Sequence, residues 1–293
     1  MNIRAPISPR NPETFPNWAF RHLEIEYDAA TQSVWMNYKS DAPHCYTLPM
    51  VMEAIEFGQS LRLLFESDCL ERYPIRYFVM ASKKPAVFSL GGDLAAFSSA
   101  IRGRDRDGLR RYAHACVDIM YGFNTGFDLP IVTLTAVGGQ CLGGGFESAL
   151  ATDFLIAEES AKLGVPEIGF NTFPGMGAVS FLNRRVAAVR AEQIITNGAV
   201  HSARELHALD LVDVVAPDGD LRETALDWMR DGGDEHWHRR RVLTQLRKRC
   251  FPLPREELVK IVEQWVDCSF SISEHDLRYM ERLVAAQQRL ASN

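Results

Sequence analysis

Two glutamates beside glycine-rich turns are the residues in this sequence best suited to proton-transfer chemistry. Glu147 lies in "CLGGGFESAL", just after three consecutive glycines, and Glu167 lies in "LGVPEIGFNTFPGMGA". Two carboxylates near one substrate can divide proton transfer between them, one acting as base and the other as acid. Partial burial and mutual repulsion would raise at least one pKa, so that an acid and a base coexist near neutral pH.

Two glycine runs supply main-chain donors that could act together with these glutamates. Gly91–Gly92 lies in "FSLGGD", and Gly143–Gly145 follows an apolar strand and opens a helix. Glycine has no Cβ, so a ligand can approach its N–H closely. A helix N-terminus adds unpaired N–H groups and partial positive charge. Two such donors would stabilise an enolate or a tetrahedral oxyanion, with roughly 3 kcal/mol from one donor.

Each of these features also has a plainer interpretation. Either glycine run alone is more typical of a tight turn between a strand and a helix. Neither run matches the nucleotide-binding pattern G-x-G-x-x-G, and no G-K-[ST] follows. Glu147 could be an exposed helix residue and Glu167 a turn residue. The presence of both glutamates together with both glycine runs favours the enzymatic interpretation.

Strands and helices that alternate along the chain are expected to position these residues. The expected elements are a β-hairpin of "HLEIEYD" and "SVWMNYK", a helix from Leu48 to Phe65, a strand at 75–82, a helix at 106–124, a buried strand at 129–139, a short helix in "FESALATD", a strand in "FLIAEES", helices at 177–198 and 202–209, and a strand in "LVDVVA". This alternation predicts an α/β fold.

Three regions are expected along the chain. Residues 1–20 contain several prolines and predict an irregular N-terminal arm. Residues 21–220 form the α/β core that carries the site. Strand signals disappear from Leu221 onward, and two amphipathic helices, "REELVKIVEQWVDCSFS" and "SEHDLRYMERLVAAQQRL", predict a helical C-terminal region at 221–293.

Composition argues against several classes of protein. Hydrophobic residues make up 46% and charged residues 24%, as in ordinary globular proteins, and a net charge of −6 does not suit nucleic-acid binding. No apolar run approaches the ~20 residues of a membrane span, and no secretory signal precedes the core. Six cysteines without a C-x-x-C pair predict reduced thiols in the cytoplasm, and no spacing suggests a metal site or a cofactor.

Three segments together resemble a known family. "FSLGGD", "LGGGFESAL" and "GVPEIGFNTFPGMGA" are similar, in order and separation, to the signature segments of the crotonase (enoyl-CoA hydratase/isomerase) superfamily. Within it, the chain most resembles the diffusible signal factor synthases, the RpfF-like enzymes. The shared features are the phenylalanine before Glu147, the "FPGMGA" segment, and a C-terminal stretch like "VEQWVDCSF" with "LRYMERLVAAQQR".

The resemblance implies a crotonase-type spiral of ββα turns and an assignment of roles. It implies oxyanion-hole donors at Gly92 and Gly144, and catalytic carboxylates at Glu147 and Glu167. Members dehydrate a 3-hydroxyacyl thioester on acyl carrier protein to a cis-2-enoyl thioester. They then hydrolyse this thioester, and the free fatty acid is a quorum-sensing signal.

An acyl chain also needs an apolar pocket. The candidates for its lining are Leu142, Gly143, Phe170, Met176, Trp265 and Leu283. Plain core packing is the alternative explanation for each of them.

The expected partners are acyl carrier protein, or coenzyme A, bearing the acyl chain. The resemblance adds the receiver domain of a sensor kinase and assembly into trimers or pairs of trimers. Basic residues in "IRGRDRDGLRR" and "HWHRRRVLTQLRKR" could steer an acidic carrier, although solvated helix faces are the more common explanation of such runs. A conventional enoyl-CoA hydratase and a regulatory binding protein with a vestigial pocket are the alternative functions.

Overall fold

The computed structural model describes residues 15–291, and their side chains as far as residue 285. The expected N-terminal arm therefore lies largely outside the described residues. Of that arm, Trp18 and Phe20 are buried against the core although they belong to no helix or strand.

Two β-sheets carry the α/β fold. The larger sheet has the order β1-β2-β3-β5-β7-β10, with strands β1 Leu23–Asp28, β2 Ser33–Tyr38, β3 Tyr77–Ser82, β5 Val132–Val137, β7 Phe154–Glu158 and β10 Val214–Ala216. The smaller sheet has the order β4-β6-β8-β9, with strands β4 Val87–Ser89, β6 Gln140–Leu142, β8 Lys162–Gly164 and β9 Val200–Ser202. Apart from β1 against β2 and β8 against β9, the paired strands are parallel.

Helices follow the strands in a repeated pattern. They are α1 Leu48–Phe65, α2 Cys69–Arg72, α3 Leu94–Arg102, α4 Arg106–Thr125, α5 Gly144–Ala151, α6 Ala178–Leu182, α7 Ala188–Asn197, α8 Ala203–His207, α9 Leu221–Arg230, α10 Gly233–Cys250, α11 Arg255–Ser269 and α12 Glu274–Ala291, with a 3₁₀ helix at Pro166–Phe170. A strand of the larger sheet, a strand of the smaller sheet and a helix recur in this order, as β3-β4-α3 and as β5-β6-α5. This is the expected ββα spiral.

Alternate residues of the larger sheet supply two hydrophobic cores. Phe78 and Met80 of β3 face the main core with α1, α4 and α5, whereas Tyr77 and Val79 face a second cluster that α9 covers. Because successive strand residues point to opposite faces, one apolar strand serves both cores.

The expected helix over 177–198 is wrong as a single element. The structure has α6 and α7, separated by a turn. Ala187 has extended backbone (φ −58°, ψ 142°) and begins the second helix, so the direction of the chain changes there. The helix α3, which follows the first glycine run directly, is not among the expected elements although Asp93 caps it.

The C-terminal helices pack against α3 and α4 and are joined to them by ion pairs. Arg102 pairs with Glu274 and Glu281 of α12, and Arg110 pairs with Glu263 of α11 at 2.5 Å. Exposed pairs contribute about 0–1 kcal/mol each. Arg102 and Arg110 of the first basic segment therefore help to hold the C-terminal helices in place.

Candidate active site

The two glycine runs meet where β4 and β6 end. A Cβ added to Gly144, the first residue of α5, would lie 3.4 Å from Gly92 N, and one added to Gly91 would lie 3.0 Å from Gly144 N. The Gly92 segment is held by a bridge to Tyr46. Within the described residues, neither the Gly92 nor the Gly144 amide donates to a protein acceptor. Two free N–H groups are therefore neighbours at a helix N-terminus, as an oxyanion hole requires.

The outer two of the three consecutive glycines have steric reasons. Gly143 has φ +53°, and a Cβ there would lie 2.7 Å from Glu167 Oε1. Gly144 stands against the other glycine loop, as described above. A Cβ at Gly145 would lie 2.6 Å from Ser89 O. Side chains at the outer two positions would displace a glutamate or a strand, so the run is a consequence of close packing around the site.

Glu147 lies one turn inside α5 and is 2% exposed. Its Oε1 accepts hydrogen bonds from Met176 N at 2.9 Å and from Ala178 N at 3.0 Å. Burial raises the pKa of Glu147 to about 7, although the main-chain donors of residues 176–178 oppose the rise. The protein donors use Oε1, which leaves Oε2 for a substrate or a water molecule.

Glu167 reaches the same place from the 3₁₀ helix that Pro166 begins. The residue as a whole is partly exposed, but its Oε2 is buried and has no hydrogen-bond partner. Burial and, secondly, the neighbouring Glu147 carboxylate raise the pKa of Glu167 well above its usual range. Because Glu147 accepts main-chain hydrogen bonds from Met176 and Ala178 and Glu167 does not, Glu147 is the more easily ionised of the two, and we infer that the pair holds one proton near neutral pH.

An apolar cavity of about 320 Å³ lies beside this pair. One wall of the cavity is aromatic. It is formed by Phe97 of α3 and Trp265 of α11, whose rings are in edge-to-face contact with their centroids 5.0 Å apart. Trp265 also packs onto Gly175, where a Cβ would lie 2.3 Å from the indole. Tyr279 and Leu283 of α12 complete the wall. The C-terminal region thus forms one side of the cavity.

All ten site residues that the sequence analysis singled out line this one cavity. They are Gly92, Gly144, Glu147, Glu167, Leu142, Gly143, Phe170, Met176, Trp265 and Leu283. Their chemical roles stay predictions. The sequence analysis did not find several further lining residues, namely Leu90, Leu94, Phe97, Gln140, Pro166, Gly175, Val200 and Tyr279. Two of these residues, Leu94 and Phe97, lie on α3. The sequence does contain a sign of this helix, because Asp93 is a typical N-cap residue and accepts a hydrogen bond from Ala96 N.

A larger cavity of about 650 Å³ lies at the carboxyl ends of the large-sheet strands. Among the described residues that line it, Glu158 is the single carboxylate, and it already accepts from Gly219 N at 3.0 Å. This cavity therefore lacks an acid–base pair, and the smaller cavity is the candidate active site.

Comparison with known proteins agrees with this geometry. The model of the enoyl-CoA hydratase/isomerase family matches residues 65–261, more than half of the chain. The chain belongs to this family. Membership in this family indicates an enzyme of the hydratase/isomerase type.

Solved structures share the fold at low sequence identity. Human mitochondrial delta3-delta2-enoyl-CoA isomerase matches with a TM-score of 0.71 and 20% identity over 93% of this chain and 100% of its own. Enoyl-CoA hydratase from Bacillus anthracis gives 0.66 and 22% over 92% and 97%. DspI from Pseudomonas aeruginosa gives 0.63 and 23% over 87% and 97%. The expected crotonase-type fold is confirmed.

All six cysteines are unpaired. Among residues 15–291, none of the helices combines the length and the apolar character that crossing a membrane requires.

Proposed function

We propose that this enzyme dehydrates a 3-hydroxyacyl thioester on acyl carrier protein to a cis-2-enoyl thioester and then hydrolyses it to a free fatty acid signal. The observation that carries the proposal is the cavity where the buried Glu147 carboxylate and the Glu167 carboxylate, whose Oε2 is buried, adjoin two free amides. The finer assignment is supported by Trp265, Tyr279 and Leu283, because these wall residues belong to the C-terminal segment that resembles the signal factor synthases.

Dehydration uses both members of the pair. The ionised carboxylate removes the α-proton while the amides of Gly92 and Gly144 stabilise the negative charge on the thioester oxygen. The protonated carboxyl gives its proton to the β-hydroxyl, which leaves as water. One carboxyl has gained a proton and the other has lost one, so the pair again holds a single proton.

Hydrolysis can follow in the same cavity. The carboxylate that has just released its proton activates a water molecule, which attacks the thioester carbonyl carbon. The oxygen becomes an oxyanion at the Gly92 and Gly144 amides, and the carbon–sulfur bond breaks as the tetrahedral intermediate collapses. The thiolate takes up the proton that the first carboxylate removed from the α-carbon and leaves with the carrier, while the second carboxyl keeps the proton taken from water. The steps need no group beyond water, the two glutamates and the two amides.

The size of the cavity suits a chain of medium length. A water molecule in the liquid takes up ~30 Å³, and we assign the same volume to each atom of the acyl chain. The cavity of about 320 Å³ then holds roughly ten chain atoms. We expect turnover to fall for chains several carbons longer, because Trp265 and Phe97 would have to move apart.

A second candidate function is favoured by the family model and by the hydratase structures. This is hydration of a trans-2-enoyl-CoA to a 3-hydroxyacyl-CoA, in which the same pair adds water. Both reactions need the same amides and carboxylates, so the site geometry alone does not separate them.

Product analysis separates the two functions. The purified enzyme is incubated with a 3-hydroxyacyl carrier protein of about ten carbons and, separately, with the corresponding trans-2-enoyl-CoA. We expect mass spectrometry to find a free cis-2-unsaturated acid in the first reaction only. Release of 3-hydroxyacyl-CoA from the second substrate without any free acid would overturn the proposal and support the hydratase. A Glu147→Gln sample reports background hydrolysis.

Dehydration and hydrolysis should depend on pH through the glutamate pair. Below pH 7 Glu147 becomes protonated and the pair no longer contains a base, so kcat/KM should fall about tenfold for each pH unit. We expect an acid limb with an apparent pKa of about 7 in a rate profile between pH 5 and 9. The same limb should persist in Glu158→Gln, which changes a carboxylate of the other cavity. An acid limb with an apparent pKa near the ordinary value of 4.5 would show instead that the two glutamate carboxyl groups are exposed to water.

A further inference from the structure

Tyr112 contacts the Gly91–Gly92 loop but does not line the cavity. It lies on α4, is 5% exposed, and its ring packs edge-to-face on Phe97 at 5.1 Å. Its hydroxyl donates to Tyr46 O at 2.5 Å and accepts from Asp93 N at 3.3 Å. Asp93 directly follows Gly92, so one buried phenol fixes the main chain next to the proposed oxyanion donor.

Tyr46 connects the same loop to helix α5. Its main-chain N donates to Gly91 O at 2.7 Å, and its hydroxyl lies 2.7 Å from Ser148 Oγ. Ser148 follows Glu147 on α5, the helix that Gly144 begins. Hydrogen bonds therefore run from Tyr112 through Tyr46 to the Gly91–Gly92 loop and to the helix that Gly144 begins.

We propose that Tyr112 is a positioning residue that holds the Gly92 amide where it and the Gly144 amide can bind the same oxygen atom. The inference rests on the proposed use of these amides as an oxyanion hole. Burial raises the pKa of the phenol well above its usual range, so the hydroxyl stays protonated and both of its bonds persist across the working pH. Gly92 has no side chain that could fix its orientation. The hydrogen bonds of its neighbours, Gly91 and Asp93, perform that function.

Tyr112→Phe tests the inference in kinetics. The change removes both hydrogen bonds but keeps the ring against Phe97. Because a misplacement of about 1 Å can cost as much as 10²-fold in rate, we expect kcat to fall roughly 10- to 100-fold while KM changes less than about twofold. Tyr77→Phe is the matched control, since Tyr77 is equally buried but faces the second core cluster. An unchanged kcat in Tyr112→Phe, or equal losses in both variants, would overturn the inference.

An infrared measurement tests the same point without turnover. Decanoyl-pantetheine labelled with ¹³C at the thioester carbonyl is bound to Glu147→Gln, in which hydrolysis is slow. Donors that polarise the carbonyl move its stretch to lower frequency, and we expect Tyr112→Phe in this background to reduce that shift. An identical shift would mean that Tyr112 only packs. If the wild type turns over neither substrate, the proposed function fails, whereas the infrared shift still reports the role of Tyr112.

Discussion

Glu147→Gln should lower free-acid release by about 10³-fold, within the range that general acid–base catalysis contributes. Glutamine has the same shape, and its carbonyl oxygen can still accept from Met176 N and Ala178 N, but it cannot accept a proton at neutral pH. Glu167→Gln should produce a loss of similar size. Because the two residues act as a pair, the double variant should be scarcely worse than either single one.

The stability of Glu147→Gln distinguishes a catalytic loss from unfolding. The folded state raises the pKa of Glu147 to about 7, so stability from this group is present below the ordinary pKa of 4.5 and is lost as pH rises through 7. A neutral glutamine removes that loss. We expect the variant to melt at or above the wild-type temperature at pH 8. A lower melting temperature together with lost activity would support a structural role instead.

Gly144→Pro should abolish most activity, whereas Gly144→Ala should retain it. Gly144 is the first residue of α5, where proline is tolerated because that N–H has no partner within the helix. Proline replaces the proposed oxyanion donor with a ring carbon, and losing one such donor costs about 10²- to 10³-fold in kcat.

Alanine at position 144 is the matched control because it keeps the N–H. Its Cβ would lie 3.4 Å from Gly92 N and 3.6 Å from Gly91, contacts that require little or no movement. We expect kcat for Gly144→Ala within a few-fold of the wild type, with circular dichroism confirming that both variants fold. Equal activity of Gly144→Pro and Gly144→Ala would exclude this amide from the reaction.

The patterns that predicted the fold correctly were local ones. Helical spacing gave α1 its observed ends, Leu48 and Phe65, and the alternating strands before it form the expected hairpin. The pattern over 177–198 failed because periodicity does not detect the extended backbone of Ala187. Arg102 and Arg110 look like part of a free basic face in the sequence, since the acids that pair with them lie more than 150 residues away.

Residue type and spacing carry the α/β alternation and mark the two glutamates and the two glycine runs, so these features could be predicted before folding was considered. That Glu147 and Glu167 line one apolar cavity, and that Glu147 is the more easily ionised of the two, follows from the folded protein alone. A pKa depends on burial and on nearby donors. The amides of Met176 and Ala178 come close to Glu147 only when the chain folds.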